Sequence, residues 1–160
     1  MKVDQIIKKL NLQKHPEGGF YKETYRDNRT VRFDKGEERS SSTAIYYMLT
    51  DDDKSHFHRV KSDELWFFHQ GETLEIHIID EDGNLRVELL GNNLQNGESP
   101  QVIVKRNLWF AAKIKNSKGF SLVSCTVSPG FEFEDFELAK KTDLLLQYPH
   151  LKNEIEELSL

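Results

Sequence analysis

The chain has little of what marks a secreted, membrane-bound or nucleic-acid-binding protein. Its 160 residues contain one cysteine, Cys125, so no disulfide can form within the chain, and a cytoplasmic location is the simplest expectation. No apolar stretch follows Met1, and no hydrophobic run approaches the length of a membrane span. The net charge of -5 argues against a nucleic-acid backbone, which requires clustered basic residues. Neither nucleic acids nor membranes are expected partners.

Aromatic side chains supply most of the material for a core. Charged residues make up 31% of the chain and hydrophobic residues 37%, so the composition is polar but not that of a disordered protein. Ten Phe, five Tyr and two Trp provide large apolar surfaces to bury. A length of 160 residues lies within the usual range for one domain. We therefore expect a single domain that spans residues 1–160.

Short runs of β-branched and aromatic residues, separated by turn signals, fill the middle of the chain. The predicted strands are Phe20–Tyr25, Thr43–Leu49, His56–Val60, Glu64–His69, Leu74–Ile79, Leu85–Leu90, Gln101–Val104, Leu108–Ile114 and Phe120–Val127. Asp82-Gly83 predicts a hairpin between Leu74–Ile79 and Leu85–Leu90. Many short antiparallel strands at this spacing predict an all-β, double-sheet jelly roll.

Helical periodicity occurs only near the two ends of the chain. Apolar residues recur at helical spacing over Val3–Leu10, and Asn11 is a plausible stop. A second helix is predicted over Leu138–Gln147, and the polar tail Lys152–Leu160 could add one more turn. Asp34–Glu38 is predicted to be an exposed loop. The fold therefore has short N- and C-terminal helices around a β-rich centre.

The pattern His-x-His carries the strongest indication of chemistry. Side chains alternate along a strand, so His56 and His58 point to the same face. If Lys61–Asp63 makes the turn, the two flanking runs pair as an antiparallel hairpin, and Glu64 returns beside the histidines. Two imidazoles and one carboxylate are a familiar ligand set for zinc, iron, nickel or manganese. The same groups could instead form a hydrogen-bonded polar cluster without metal.

The spacing of His56, His58, Glu64 and Gly71 resembles the first signature of the cupin superfamily. Further segments are similar to the cupin-5 branch of that superfamily, which is largely of unknown function: His15–Tyr25, His56–Trp66, Trp109–Ala112 and Cys125–Phe131. The resemblance covers about residue 3 to residue 150. It implies a double-stranded β-helix, the jelly-roll cupin barrel, with the two histidines and the glutamate lining its interior, and it implies a dimer.

The second cupin signature resembles Pro-x-Gly-x-x-His and falls on Lys105–Phe110, where the chain departs from it. Phe110 stands where the last histidine ligand would be, and Asn107 replaces the glycine. Asn tolerates the left-handed backbone well, so the turn is expected to persist while the fourth ligand is lost. The resemblance then implies a three-ligand site of His56, His58 and Glu64, with a possible divalent metal bound more weakly than by the full set.

Other residues are candidates for the wall of a binding pocket. Trp66 and Phe68 lie two and four residues after Glu64 on the same strand and therefore point inward with it. Trp109 and Phe110 lie at the end of the second signature. On Phe20–Tyr25, alternation sets Tyr21, Glu23 and Tyr25 on one face, which could reach the barrel mouth or be solvated. Cys125 is expected to be a buried, inert thiol.

Two classes of function remain open. In the first, the barrel is an enzyme of the epimerase or isomerase kind that acts on a small polar molecule, with His56 or His58 as general base and Glu64 or Tyr21 as its partner. A metal-dependent enzyme is a variant of this class. In the second, the barrel is a non-catalytic binder or sensor. The outward parity of Leu65, Phe67 and His69 predicts an apolar face that a second subunit covers, and thus a homodimer.

Overall fold

The computed structural model describes all residues from Met1 to Leu160, most of them in β-strands. The strands are β1 (Gln13–Lys14), β2 (Phe20–Arg26), β3 (Thr30–Phe33), β4 (Glu37–Ser40), β5 (Thr43–Thr50), β6 (Lys54–Val60), β7 (Asp63–Gly71), β8 (Leu74–Ile79), β9 (Leu85–Leu90), β10 (Gln101–Val104), β11 (Trp109–Ile114), β12 (Phe120–Ser128) and β13 (Phe136–Leu138). The α-helices are α1 (Val3–Leu10), α2 (Lys141–Gln147) and α3 (Lys152–Leu158). Single 3-10 turns occupy Leu94–Asn96, Phe133–Asp135 and Pro149–Leu151.

Two antiparallel sheets form the jelly roll. One sheet has six strands in the order β1-β2-β5-β12-β7-β10, and the other has five in the order β13-β6-β11-β8-β9. The small hairpin β3-β4 stands apart from both. A cluster of 15 buried side chains from both sheets, here called the apolar core, fills much of the interior and includes Trp66, Ile76, Leu90 and Phe110. The interior-facing residues of both sheets therefore bury one another.

Different helices cover the outer faces of the two sheets. Against the five-stranded sheet, α2 and α3 bury Leu144, Ile155 and Leu158 together with Phe57, which lies on the outer face of β6. Against part of the six-stranded sheet, α1 buries Ile6 in a smaller cluster with residues of β5 and β12. None of these helices has both the length and the apolar composition needed to cross a membrane.

The fold class and most element positions predicted from the sequence are confirmed. All nine predicted strands are present, with ends within two residues of the prediction. The first helix ends at Asn11, whose φ of 54° is left-handed, and Asp82-Gly83 closes the β8-β9 hairpin with Gly83 at φ 80°. Asn107 adopts φ 65°, so the turn of the second signature persists without glycine. Four short strands lacked a sequence signal: β1, β3, β4 and β13.

The predicted hairpin between the two signature strands is wrong. β6 pairs with β11 and β13 in one sheet, whereas β7 pairs with β12 and β10 in the other. The chain crosses between the sheets at Lys61-Ser62. Because Phe57 packs beneath the C-terminal helices, β6 belongs to the sheet that those helices cover. His58 and Glu64 therefore approach from opposite sheets instead of lying side by side.

Three boundary predictions also need correction. The helix predicted over Leu138–Gln147 starts only at Lys141, because Phe136–Leu138 pairs with β6 as a sheet-edge strand. The tail Lys152–Leu160 forms a seven-residue helix, α3, instead of a single further turn. Within the predicted loop Asp34–Glu38, Glu37 and Glu38 belong to β4, and only the turn of that hairpin is loop.

Candidate functional site

A cavity of about 180 Å³ opens beside the apolar core. Its principal lining residues come from the loop after β1, from β2, β6, β7 and β12, and from the segment after β12: His15, Glu17, Tyr21, Glu23, Arg26, His58, Glu64, Cys125, Phe131, Glu132, Phe133 and Phe136. This volume lies below the roughly 300–1,000 Å³ of pockets for drug-sized molecules. The cavity therefore suits a small ligand.

A sharp loop between β1 and β2 carries Glu17 into the barrel. Gly18 and Gly19 adopt φ values of 110° and 75°, a left-handed backbone that glycine adopts without steric cost. A Cβ at Gly18 would lie only 1.9 Å from the carbonyl oxygen of Lys54. The glycine pair thus lets the loop pass against β6, and Glu17 is left with only 5% of its surface exposed.

His56 holds this loop in place and does not line the cavity. Its backbone N–H donates to the Glu17 carbonyl over 2.9 Å, and its Nδ1–H donates to the same oxygen over 2.7 Å. His56 therefore fixes the backbone of Glu17, and its ring lies outside the cavity, away from any bound molecule. His58, two residues along the same strand, reaches the cavity.

His58 and Glu17 form a buried ion pair. His58 Nε2 lies 2.8 Å from Glu17 Oε2, and His58 Nδ1 lies 2.8 Å from the carbonyl oxygen of His56. A carbonyl only accepts, so Nδ1 carries a proton, and with Nε2–H donating to the carboxylate the ring is an imidazolium. Burial works to lower the pKa of His58, but the charge and hydrogen bond of Glu17 outweigh it and raise the pKa.

The same interaction sets the protonation of Glu17. Burial works to raise the pKa of its carboxyl, but the positive charge and hydrogen bond of His58 prevail and lower it. The His58 ring lies between two phenyl rings, with centroids 4.1 Å from Phe110 and 5.4 Å from Phe136. Glu17 is thus ionised and His58 cationic within an otherwise apolar wall.

Glu64 is the third member of what is here called the charged cluster: Glu17, His58 and Glu64. Burial raises the pKa of Glu64 from its usual 4.5 to about 7; the charge of His58 opposes the shift and that of Glu17 adds to it. The Cys125 thiol lies beside this carboxyl, and burial keeps the pKa of that thiol well above its usual range. Cys125 is therefore a neutral thiol at the cavity wall, while Glu64 exchanges its proton near neutral pH.

His15 begins an aromatic wall of the cavity, with its Nδ1 only 3.8 Å from Glu17 Oε1. Its Nδ1 accepts a hydrogen bond from the Glu17 N–H over 3.1 Å, and burial lowers its pKa, so the ring is neutral with its proton on Nε2. Tyr21 packs edge-on against it at a centroid distance of 4.6 Å. Phe133 and Phe136 extend the wall, with centroids 6.1 Å and 6.0 Å from His15.

Arg26 links the two sides of the cavity mouth. Its guanidinium donates to both oxygens of Glu23 and to Glu132 Oε1, each over 2.9 Å, and to the carbonyl of Phe131 over 2.9 Å. Glu23 lies on β2, whereas Glu132 follows β12. Four of the five N–H groups of the guanidinium are thus taken by protein acceptors, and the mouth has two carboxylates for one cation.

The structure brings together four of the predicted site residues and leaves the others outside the cavity. Tyr21, Glu23, His58 and Glu64 line it. The others are buried, packed elsewhere or exposed, and lie outside its lining: His56, Trp66, Phe68, Trp109, Phe110 and Tyr25.

Each of those other side chains has a different packing role. Trp66 and Phe110 belong to the apolar core, each only 1% exposed, and Phe68 packs against that core. Trp109 lies on the other face of the five-stranded sheet, where the Arg59 guanidinium stacks 4.2 Å above its ring. Tyr25 is 52% exposed because a bulge between Glu23 and Tyr25 interrupts the alternation of β2.

The predicted metal ligands do not form a metal site in this arrangement. Both nitrogens of His58 are engaged, and His56 lies outside the cavity that His58 and Glu64 line. No group of three or more His, Cys, Asp or Glu side chains is disposed to hold an ion. Phe110, in register with His58 across β6 and β11, presents a phenyl ring where the fourth ligand would be. The residues present therefore do not fit zinc, iron, nickel or manganese.

Several cavity residues were not among the residues predicted for the site. These are His15, Glu17, Arg26, Cys125, Glu132, Phe131, Phe133 and Phe136. For Glu17 a usable signal was present, since a charged residue directly before Gly-Gly predicts a sharp loop that can direct a side chain inward. For the aromatic wall the sequence signal was misleading, because Phe131–Glu134 alternates apolar and acidic residues as a strand does, whereas Phe133–Asp135 forms a 3-10 turn.

Comparisons with known proteins agree with the fold. A protein of Shewanella oneidensis, SO0799, has a structure that superposes with a TM-score of 0.91 at 42% identity, covering 100% of this chain and 98% of that one. The uncharacterized protein YML079W of Saccharomyces cerevisiae is 31% identical over 157 residues, which cover 89% of this chain and 78% of the yeast protein.

A more distant likeness supports the fold alone. Oxalate decarboxylase from Bacillus subtilis matches with a TM-score of 0.57 at 17% identity, and the match covers 91% of this chain but 36% of that enzyme. Residues 4–139 match the Cupin_5 family, described as cupin superfamily (DUF985). Together with the cavity, this match supports a small-molecule-binding cupin. The chain belongs to the Cupin_5 family of the cupin superfamily.

Proposed function

We propose that the protein is an enzyme of the isomerase or epimerase kind that moves a proton on a small polar molecule bound in the barrel. The observation that carries the proposal is Glu64, which is buried, lines the cavity and has its pKa raised to about 7. A general base or acid works best when its pKa lies near the working pH. Neighbouring groups with pKa values driven apart, as in Glu17 and Glu64, are typical of acid–base sites.

Each member of the charged cluster has a distinct part in such a reaction. As a carboxylate, Glu64 removes a proton from a carbon next to a carbonyl and becomes the carboxylic acid. Both N–H groups of the His58 imidazolium are taken by Glu17 and the His56 carbonyl, so His58 acts on the negative charge that develops on the carbonyl oxygen through its own positive charge and not through a hydrogen bond. In an isomerisation, Glu64 then gives the proton to the neighbouring carbon while the proton of the adjacent hydroxyl moves to the former carbonyl oxygen. In an epimerisation, Glu64 keeps the proton and Tyr21 delivers another to the opposite face of the original carbon, and both residues then exchange protons with solvent. Tyr21 lines the same cavity and is a second proton donor.

Deuterium exchange tests this role. The protein is incubated in D2O with a panel of low-mass hydroxycarbonyl and aminocarbonyl compounds, and deuterium incorporation at carbon is followed by NMR. Glu64→Gln keeps the size of the side chain but removes the base, so exchange should fall by roughly 100-fold or more. Glu137→Gln is the matched control, because Glu137 is exposed, pairs with Arg59 and does not line the cavity.

A non-catalytic binder or sensor is the second candidate, and one observation favours it. His58 and Glu17 satisfy each other, and neither nitrogen of His58 is left free. Such a pair is stable without a substrate and could serve only to shape the pocket. Absence of exchange across the whole panel, with ligand binding retained, would reject the enzyme and leave the binder.

A further inference from the structure

The charges around the cavity do not balance. Its lining has four carboxylates, Glu17, Glu23, Glu64 and Glu132. His58 compensates Glu17, and Arg26 compensates one of the two carboxylates at the mouth. Arg26 thus shares one positive charge between Glu23 and Glu132, and Glu64 has no cationic partner of its own, so the lining keeps an excess of negative charge.

Lys22 is the remaining cationic residue along the lining, but its side chain faces away from the barrel. It alternates with Tyr21 and Glu23 on β2, so it occupies the opposite face of that strand. It also lies in register with Tyr46, whose ring packs on the outer cluster beside α1. No free cation therefore points into the cavity to receive an anionic ligand.

The aromatic wall complements this negative charge. Phe131 and Phe133 pack at a centroid distance of 5.0 Å, and Phe133 lies 6.2 Å from Phe136. Phe133 is 49% exposed at the mouth. Aromatic faces carry partial negative charge and attract cations, and rings combined with carboxylates are how proteins recognise ammonium groups.

The geometry points to a small organic cation, an amine or a quaternary ammonium compound, as the ligand of this cavity. This inference rests on the proposed function only in that both use the same cavity. It adds to that function the chemical class of the ligand. A carboxylate ligand would be buried beside uncompensated carboxylates without a cation to pair with, which is costly. A neutral ligand would gain contact with the wall but nothing from the excess negative charge.

Choline and two analogues of the same shape test this class. Dimethylbutanol carries a carbon atom in place of the quaternary nitrogen of choline, and dimethylbutanoate carries a carboxylate. Binding to the whole protein is measured by calorimetry. We expect choline to bind roughly tenfold or more tightly than dimethylbutanol, and dimethylbutanoate not to bind.

Two variants separate a cation–aromatic contact from general apolar packing. Phe133→Leu keeps an apolar side chain but removes the ring, so choline affinity should fall by about threefold to tenfold while dimethylbutanol affinity changes little. Tyr25→Leu is the control, because Tyr25 is an equally exposed aromatic residue that lies outside the lining. Both side chains are about half exposed, so neither change should unfold the protein.

The outcomes separate this inference from the proposed function. Three results of the titration would each overturn the organic-cation inference. They are equal binding of choline and dimethylbutanol, tighter binding of dimethylbutanoate than of choline, and no binding of any probe at about 10 mM. An equal effect of Phe133→Leu on choline and dimethylbutanol would do the same. The proposed proton transfer fails instead by absent deuterium exchange, which this titration does not measure.

Discussion

The apolar core and the charged cluster fill neighbouring parts of one barrel interior by different physical means. In the apolar core, side chains such as Trp66, Ile76 and Leu90 bury carbon against carbon. In the charged cluster, Glu17, His58 and Glu64 are equally buried but depend on their protonation states. Packing energy is almost independent of pH, whereas buried titratable groups couple stability to proton binding. The pH dependence of stability can therefore tell the two regions apart.

The largest expected effect is that of Glu17→Gln, which removes one partner of the buried ion pair. Leaving a buried charge unpaired costs about 3–5 kcal/mol. Because folding raises the pKa of His58, protonated His58 stabilises the fold at a pH below the usual histidine pKa, and this contribution is lost as the pH rises through the pKa of the folded state. Because folding lowers the pKa of Glu17, ionised Glu17 stabilises the fold at a pH above the usual carboxyl pKa. The cost should thus be greatest near pH 6 and smaller at alkaline pH, as measured by urea unfolding.

A matched change in the apolar core gives the contrast. Leu90 is fully buried, and Leu90→Ala should cost about 2–5 kcal/mol through lost burial and the cavity left behind. Because no titratable group is changed, the cost should be the same at pH 5 and pH 8. If the stability lost in Leu90→Ala varied with pH in the same way as the stability lost in Glu17→Gln, the two regions would be energetically coupled and the comparison would fail.

Glu64→Gln sharpens the comparison within the charged cluster. A carboxyl whose folded pKa is raised from 4.5 to about 7 binds its proton more tightly in the native state, so parent stability falls as pH rises through that window. Glutamine does not titrate. The stability of the variant relative to the parent should therefore rise by about 3 kcal/mol between pH 4.5 and pH 7, at about 1.4 kcal/mol per unit of pKa. A flat difference would mean that Glu64 is not the buried acid.

The smallest effect on the stability of the folded subunit is expected for a substitution on the outside of the barrel. We propose that the outer face of β7, with half-buried Leu65 and Phe67, pairs with a second copy, since α1 covers only another part of that sheet. Phe67→Glu should leave the unfolding free energy of the subunit nearly unchanged but prevent association, as light scattering would report. A parent protein that is already monomeric at micromolar concentration would contradict the dimer.

The sequence predicts the strands of this fold better than the partners that each strand takes. Period-two alternation located β6 and β7, and Asn107 and Phe110 fell where the second cupin signature places them. Alternation is a local property, however, and does not specify which sheet a strand joins. The hairpin prediction failed because a short turn at Lys61–Asp63 fits a hairpin and a crossover between sheets equally well.

The candidate site was only partly predictable for a related reason. His58 and Glu64 were identified from their spacing, but the partner of His58 is Glu17, which lies in a loop far away in sequence. A carboxylate on a loop can face solvent or the interior, and its pKa and role depend both on its burial and on the charged groups that it meets there, here His58. The roles of His56 and His58 also differ, although strand alternation treats them as equivalent, because only His56 meets the Glu17 carbonyl.

The crossover at Lys61-Ser62 also has a consequence for how the chain folds. His58 and Glu64 are near neighbours in sequence, yet each reaches its position only after its strand has joined a different sheet, and Cys125 arrives on a strand formed much later in the chain. Contacts of this kind have high contact order, and barrels built from them fold in roughly milliseconds to seconds. In a refolding experiment, choline binding should follow the burial of Trp66 and never precede it, because no partly folded chain contains the cavity.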